Sequence, residues 1–172
     1  MSASAPWTIR RAERLDAQAL VDFKAQVLKE TEFLLQGVED FTGHKVDEIQ
    51  IIEAFTRHQG SSLLLAIEDN EIVAMCTVVA GAFVRSRHVG QTGIAVLQSH
   101  WGRGVAAALI RRALRDAAAQ GLKKLSLQVH ADNHRARRFY QNHGFQYEGR
   151  LRAEALLAGN LVDLLAMGRI LE

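Results

Sequence analysis

Small residues between Gly102 and Ala107 are the part of the sequence whose types and spacing most directly suggest chemistry. A short apolar run at residues 94–97 precedes them, and a long amphipathic helical pattern follows. A strand, a glycine-containing turn and a helix start together form a phosphate-binding site, because small side chains let a ligand approach the backbone. The free N–H groups of the first helical turn can point at an anion, where the helix dipole supplies roughly half a positive charge. We therefore predict that this loop binds a phosphorylated cofactor.

Two kinds of protein fit such a loop. Gly102, Gly104 and Ala107 have the spacing G-x-G-x-x-A of a dinucleotide-binding fold, which also requires an acidic residue about 20 positions later, at the end of the next strand. In this sequence that distance falls inside or just after the predicted helix. The chain after Ala107 is also too short for the usual series of parallel strand–helix units. A nucleotide-binding oxidoreductase is therefore disfavoured, and the residues downstream decide in favour of another family.

The periodicity of the apolar residues predicts a mixed α+β domain built around one sheet. Strict alternation, as at Leu125, Leu127 and Val129, is typical of a strand, whereas spacings of three and four residues are typical of helices. The polar turn at residues 68–71 predicts an antiparallel hairpin. The predicted strands are 7–11, 63–67, 72–79, one ending at 96, 125–129 and two within 145–171. The predicted helices follow N-caps at Asp16, Asp47 and Asn133, and a further helix starts after Gly104.

Length and composition fit one domain over residues 1–172, with a disordered tail at residues 1–6. The net charge of +2 is too small to indicate nucleic-acid binding. The single cysteine, Cys76, excludes an internal disulfide and a multi-cysteine metal site, and we expect no metal. Cys76 lies in an apolar run, so we expect it to be buried and not to act as a nucleophile. Because no signal peptide and no apolar run of ~20 residues is visible, we expect a cytoplasmic protein without a membrane contact.

A second pattern lies downstream of the loop at fixed spacing. Its members are Asn133, Ala136, Tyr140, Gly144 and Phe145. From about residue 72 to its end, the chain resembles the GNAT N-acetyltransferase superfamily, whose members commonly show this spacing together with a loop Q/R-x-x-G-x-G/A. Gly104 and Ala106 match the end of that loop motif, and Trp101 stands where Gln or Arg is usual. Several spaced features over about 100 residues are far more specific than one glycine loop.

The resemblance implies α/β/α layers: a mixed, mostly antiparallel sheet with a splayed central strand pair and helices on both faces. It also implies acetyl-CoA as co-substrate, with its pyrophosphate on the loop backbone and its pantetheine arm paired to the strand that ends at Val96. Gly90 and Gly93 are the predicted sites of irregular backbone where the splay begins. Arg103 would add charge, and Asn133 would both cap its helix and contact CoA. The residues assigned to the cofactor are Ile94, Val96, Gly102, Arg103, Gly104, Val105, Ala106, Ala107 and Asn133.

The implied reaction is acetyl transfer to an amine. A neutral amine attacks the thioester carbonyl, and a backbone N–H near Val96 stabilises the resulting oxyanion. Tyr140 is the candidate general acid for the CoA thiolate. Full proton transfer from a phenol of pKa about 10 to a thiolate whose thiol has a pKa of about 8.5 is uphill by about 2 kcal/mol. That is small enough for a hydrogen bond or a late proton transfer to help. Without the resemblance, Tyr140 would be interpreted as a core aromatic on the inner face of its helix.

The general base is left open by the sequence. Many relatives use a Glu on the strand before the loop, but residues 89–97 contain no acid. Glu32, His88, His130 and a bound water are the candidates. The missing acid also motivates an alternative function, a non-catalytic acyl-CoA-binding regulatory module.

The acceptor is expected to be a primary amine of a small molecule or peptide. In this superfamily its site is shaped by the N-terminal helices and nearby loops, here residues 17–60, which carry no interpretable motif. Phe33, Leu34, Leu35 and Phe41 either line an apolar wall or belong to the core. A homodimer is left open.

Overall fold

The computed structural model describes residues 6–34 and 37–171. Residues 1–5 of the predicted tail and Leu35 lie outside this range. Within it the strands are β1 (Thr8–Arg11), β2 (Ser62–Glu68), β3 (Glu71–Ala80), β4 (Val89–Val96), β5 (Lys124–His130), β6 (Gln146–Leu157) and β7 (Asn160–Ile170). The helices are α1 (Ala17–Glu30), α2 (Lys45–Arg57), α3 (Val105–Ala119) and α4 (His134–Asn142).

All seven strands join one sheet in the order β1-β2-β3-β4-β5-β7-β6. Every neighbouring pair is antiparallel except β4 and β5, which run parallel. That parallel pairing covers only Val89–Gln91 against Lys124–Ser126, after which the two strands separate. The splayed central strand pair and the mostly antiparallel sheet are therefore confirmed.

Helices cover both faces of the sheet, as expected. The apolar stripe of α3 packs on one face together with Tyr140 of α4 and the inward residues of β5. The stripes of α1 and α2, including Phe23 and Ile52, pack on the opposite face against β2 and β3. Burial removes the apolar side chains from water, which is the main stabilising contribution of both layers. All residues of the predicted apolar stripe of α3 are buried, namely Leu109, Ile110, Ala113, Leu114 and Ala117.

Two predicted helix caps are wrong. Asp16 precedes α1, but its backbone is already helical (φ −76°, ψ −7°), whereas a capping side chain needs an extended backbone. Its carboxylate instead accepts from the Glu13 amide at 2.7 Å and pairs with Arg10 at 2.6 Å. Helix α2 starts at Lys45, so Asp47 lies within its first turn, where its carboxylate accepts from the Thr42 hydroxyl.

The predicted role of Gly90 is also wrong. Gly90 remains paired with Leu125, and the strands separate only after Gln91. A Cβ at Gly90 would lie within 3 Å of side-chain atoms of Leu122, Leu125 and Val78. Gly90 is therefore required by close packing beneath the splay and not by an irregular backbone. Gly93 lies beyond the last β4–β5 pair, next to the opening.

Candidate active site

A cleft of about 600 Å³ opens where β4 and β5 separate. Its walls come from β3, β4, the glycine loop, β5, α4 and the segment after α1. Most of the residues predicted to bind the cofactor line it, namely Ile94, Val96, Gly102, Gly104, Val105, Ala106 and Asn133. Arg103 and Ala107 do not line it.

The β4 backbone turns hydrogen-bonding groups into this cleft. Val89 C=O and Leu97 N–H both bond to the β3 side, so the odd-numbered residues of β4 point their backbone groups toward β3. Because backbone groups alternate along a strand, those of Ile94 and Val96 point the other way, into the splay. The Val96 carbonyl accepts the indole N–H of Trp101 at 2.9 Å. The N–H groups of Ile94 and Val96 therefore face the cleft beyond the end of the β4–β5 ladder.

The glycine loop forms one end of the cleft. Gly102 (φ +75°) and Gly104 (φ +90°) are left-handed, and a Cβ at either position would stand in open space. The first α3 hydrogen bond runs from Ala108 N–H to Gly104 C=O. The preceding amides of the first turn thus have no helical partner, and no side chain caps this end. This geometry suits a polyanion, because free amides and the positive helix end face a space that no side chain fills.

Arg103 is turned away from the cleft, toward a carboxylate at the end of β2. Its guanidinium makes two hydrogen bonds to Glu68, at 2.9 and 2.7 Å, and Glu68 also accepts from His100 Nε2 at 2.6 Å. The hydrogen bonds from Arg103 and His100 lower the pKa of the Glu68 carboxyl. Glu68 therefore holds the glycine loop from the side opposite the cleft. The structure does not support the predicted phosphate contact of Arg103, because its guanidinium is bound to Glu68.

Tyr140 lies in the wall formed by α4 and is 7% exposed. Burial, and to a lesser extent the nearby Cys76, raises the pKa of Tyr140, and a hydrogen bond with the Ile94 backbone offsets only part of that rise. The phenol is therefore protonated at neutral pH. Cys76 is fully buried as expected, and burial raises the pKa of its thiol to about 12, so it is not a nucleophile.

Asn133 caps α4 as predicted, since its side-chain oxygen accepts from Ala136 N–H at 3.0 Å. Sequence reasoning missed a contact nearby. The guanidinium of Arg135 stacks on the Trp101 ring, 4.0 Å from its centroid, and so links α4 to the glycine loop across the mouth of the splay. Nothing in the spacing of Trp101 and Arg135 could have predicted this pair, because the splay geometry alone brings them together.

The three candidate bases lie on three different segments of the chain. His88 is exposed and precedes β4, at the end of the strand opposite the splay. Glu32 is exposed and does not line the cleft. His130 ends β5 on the splayed side and is 5% exposed. It does not itself line the cleft, but its ring lies edge-on to Phe33, which does. Among the described residues, its buried Nε2 has no hydrogen-bond partner.

The family follows from comparison with known sequences. A sequence profile described as the acetyltransferase (GNAT) family matches residues 27–145. The chain belongs to this family. It is also 33% identical over 121 residues to the L-amino acid N-acetyltransferase AaaT of Escherichia coli (strain K12), a match covering 69% of this chain and 74% of that protein. The chain is thus an acetyltransferase. Its mostly antiparallel sheet excludes the dinucleotide-binding alternative, which requires parallel strands.

Solved structures give the same fold. A GNAT-family acetyltransferase from Streptococcus pneumoniae superimposes with a TM-score of 0.91 at 28% identity, covering 96% of this chain and 99% of that one. A GNAT superfamily phosphinothricin acetyltransferase from Sinorhizobium meliloti, solved in complex with acetyl-CoA, superimposes with a TM-score of 0.83 at 17% identity, covering 96% and 89%.

The described part of the chain contains no helix long and apolar enough to cross a membrane. It also contains no group of three or more His, Cys, Asp or Glu residues placed to hold a metal ion.

Proposed function

We propose that this GNAT protein transfers the acetyl group of acetyl-CoA to a primary amine of a small molecule or peptide. The observation that carries the proposal is the splay itself, where β4 amides turned toward the opening, a protonated tyrosine and an open glycine loop line one cleft. Each element supplies a different need of acyl transfer: donor alignment, leaving-group protonation and phosphate binding.

Acetyl-CoA fits the groups that are present. The loop from Gly102 to Ala106, with the start of α3, would hold the pyrophosphate by backbone amides. The Ile94 and Val96 amides would align the pantetheine arm and polarise the acetyl carbonyl, and Asn133 would contact CoA. When bound, acetyl-CoA supplies the thioester from which the acetyl group is transferred.

His130 would act as the general base and Tyr140 as the general acid. We propose that His130 takes a proton from the amine, directly or through one water, so that the nitrogen lone pair can form the C–N bond. As the C–S bond breaks, Tyr140 donates its phenolic hydrogen bond to the departing thiolate sulfur. Starting from the protonated amine, the nitrogen loses two protons: one passes through His130 to solvent, and the second replaces the proton that the thiolate takes up at Tyr140. The products are therefore an amide, free CoA thiol and one released proton.

The direct test combines binding and turnover. We expect CoA at 100 times its dissociation constant to stabilise the protein by about 2.7 kcal/mol. For a chain of this size that corresponds to about 5 °C or more in Tm. NAD at the same concentration is the control and should give no shift. Thiol release from acetyl-CoA is then followed across amines that include L-amino acids, because AaaT is named for that activity. Absence of a shift with CoA, or of thiol release with every amine, would contradict the proposal.

Gly104 offers a test of the phosphate loop with a matched control. Gly104→Ala places a methyl group in the open cleft at φ +90°, whereas Gly121→Ala places one in open space at φ +87°, at the far end of α3. Both changes should cost about 1 kcal/mol of stability from left-handed strain. Only Gly104→Ala should raise KM for acetyl-CoA. We expect a rise of about 10-fold, which corresponds to a loss of about 1.4 kcal/mol of binding free energy. Equal KM values for the two variants would show that the loop does not hold the cofactor.

We propose that the chain is one domain, that it works in the cytoplasm, and that it can form a homodimer. Size-exclusion chromatography with light scattering checks the last of these.

A further inference from the structure

Two glutamines form the floor of the cleft on the side away from α3 and α4. Ala95 of β4 packs in the core beneath α1 and α2, so Gln91, which is four residues earlier, lies on that same face. Leu127 and Val129 of β5 pack in the opposite core, so Gln128 between them faces the α1 side as well. Both glutamines line the cleft.

The position of these glutamines is fixed by the splay. Gln91 pairs with Ser126 at the last rung of the β4–β5 ladder, and Gln128 lies two residues further along β5. The two side chains therefore flank the point where the strands separate. Both residues are exposed, and neither amide group bonds to another described residue, so both remain available to a ligand.

The charged groups around this floor offer an amine no carboxylate partner. Among the described residues that line the cleft, none is Asp or Glu. The carboxylates in neighbouring segments are otherwise engaged or turned outward: Glu30 accepts from the Gln98 amide, Glu68 holds Arg103 and His100, and Glu32 is exposed outside the lining. The cleft's own arginine, Arg135, adds positive charge.

An acceptor with a second positive charge would lose hydration in this cleft without gaining a carboxylate partner. Such uncompensated desolvation of an ammonium group is costly. Neutral amides can instead donate to a carboxylate or carbonyl oxygen and accept from an N–H group.

We propose that the acceptor is a small monoamine whose remaining polar group is neutral or anionic, and that Gln91 and Gln128 select it by hydrogen bonding. This substrate class rests on the proposed amine acetylation.

The experiment uses three acceptors that share one primary amine and a three-methylene chain: 4-aminobutanamide, 4-aminobutanoate and (3-aminopropyl)trimethylammonium. Thiol release with the full-length protein gives kcat/KM for each. We expect the amide and the carboxylate to exceed the cation by at least about 10-fold, equivalent to about 1.4 kcal/mol. Gln91→Glu and Gln128→Glu should each shift this ratio toward the cation by about 10-fold. The ratio is measured within one variant, so a general change in kcat cancels.

Gln146→Glu makes the same chemical change at an exposed position of β6 outside the cleft and should leave the ratio as it is. A wild-type preference for the cation, or ratios that neither cleft substitution moves, would overturn the inference. Turnover of other amines but of none of these three would overturn it too. If no amine of any kind gives thiol release, that result contradicts the proposed function instead.

Discussion

Tyr140→Phe should lower kcat for acetyl transfer about 100-fold while leaving KM for acetyl-CoA within a factor of two. The estimate is the lower end of the range for general acid catalysis, about 10² to 10⁴. The lower end is appropriate because burial raises the pKa of Tyr140 above its ordinary value. A weaker acid helps the departing thiolate mainly by a hydrogen bond and less by full proton transfer. The ring itself stays in place, since phenylalanine keeps its edge-to-face contacts with Phe139 and Phe145.

The direction of the pKa shift predicts that the effect of Tyr140→Phe on kcat does not change between pH 7 and pH 9. A raised pKa keeps the phenol protonated below its ordinary pKa of about 10 and somewhat above it. The ratio of wild-type to Tyr140→Phe kcat should therefore be the same at pH 7 and pH 9. A ratio that collapses between these values would mean that the phenol ionises in this range, and Tyr140 would then act in another way.

Tyr147→Phe is the matched control, because Tyr147 is 57% exposed on β6 and outside the cleft. It should have wild-type kcat. If Tyr140→Phe shows wild-type kcat as well, Tyr140 is a core aromatic and the general acid lies elsewhere.

Local sequence patterns predicted those parts of the site that depend on a single element. The α3 stripe, the Asn133 cap and the glycine-containing turn before α3 all follow from residue types within a few positions of one another. The spacing from Asn133 to Tyr140 placed the phenol on the buried face of α4 for the same reason.

Contacts between distant elements could not be predicted in this way. Arg103 was expected to face a phosphate, but Glu68, 35 positions earlier, is brought beside it by the end of β2 and forms two hydrogen bonds with it. Asp16 was expected to cap α1, but Arg10 and the Glu13 amide compete for its carboxylate once β1 and the turn before α1 are formed. In each case a charged side chain had more than one chemically reasonable partner, and only the tertiary fold decides among them.

Removing the imidazole of His130 should produce the second large effect. We expect His130→Ala to lower kcat/KM for the amine about 100-fold, within the range for general base catalysis. The physical reason is that no carboxylate lines the cleft in the described residues, whereas His130 lies at the splayed end of β5 with an unpartnered Nε2. A buried polar atom without a partner costs about 1 to 3 kcal/mol, and a hydrogen bond from the acceptor or from a bridging water would offset that cost.

The carboxylates near His130 are engaged by other groups or exposed. Asp163, whose carbonyl bonds to the Ala131 amide, has its carboxylate held by Arg150 and the Ala153 amide. Glu32 beside Phe33 and Asp132 after β5 are both exposed. A protonated imidazole cannot accept the proton of the amine, so an imidazole base produces an acid limb in the kcat/KM profile of the wild type. In His130→Ala that limb should disappear, and the profile should follow only the titration of the amine.

His88→Ala and Glu32→Gln are the matched controls, because they remove the two other candidate bases from exposed positions outside the cleft. Both should retain wild-type kcat/KM and its acid limb. The Tm shift with CoA should survive in all three variants, which separates loss of the base from loss of the fold. If His130→Ala keeps the acid limb, another titratable group is the base. If Glu32→Gln loses the limb instead, the segment after α1 supplies the base and the acceptor approaches from that side of the cleft.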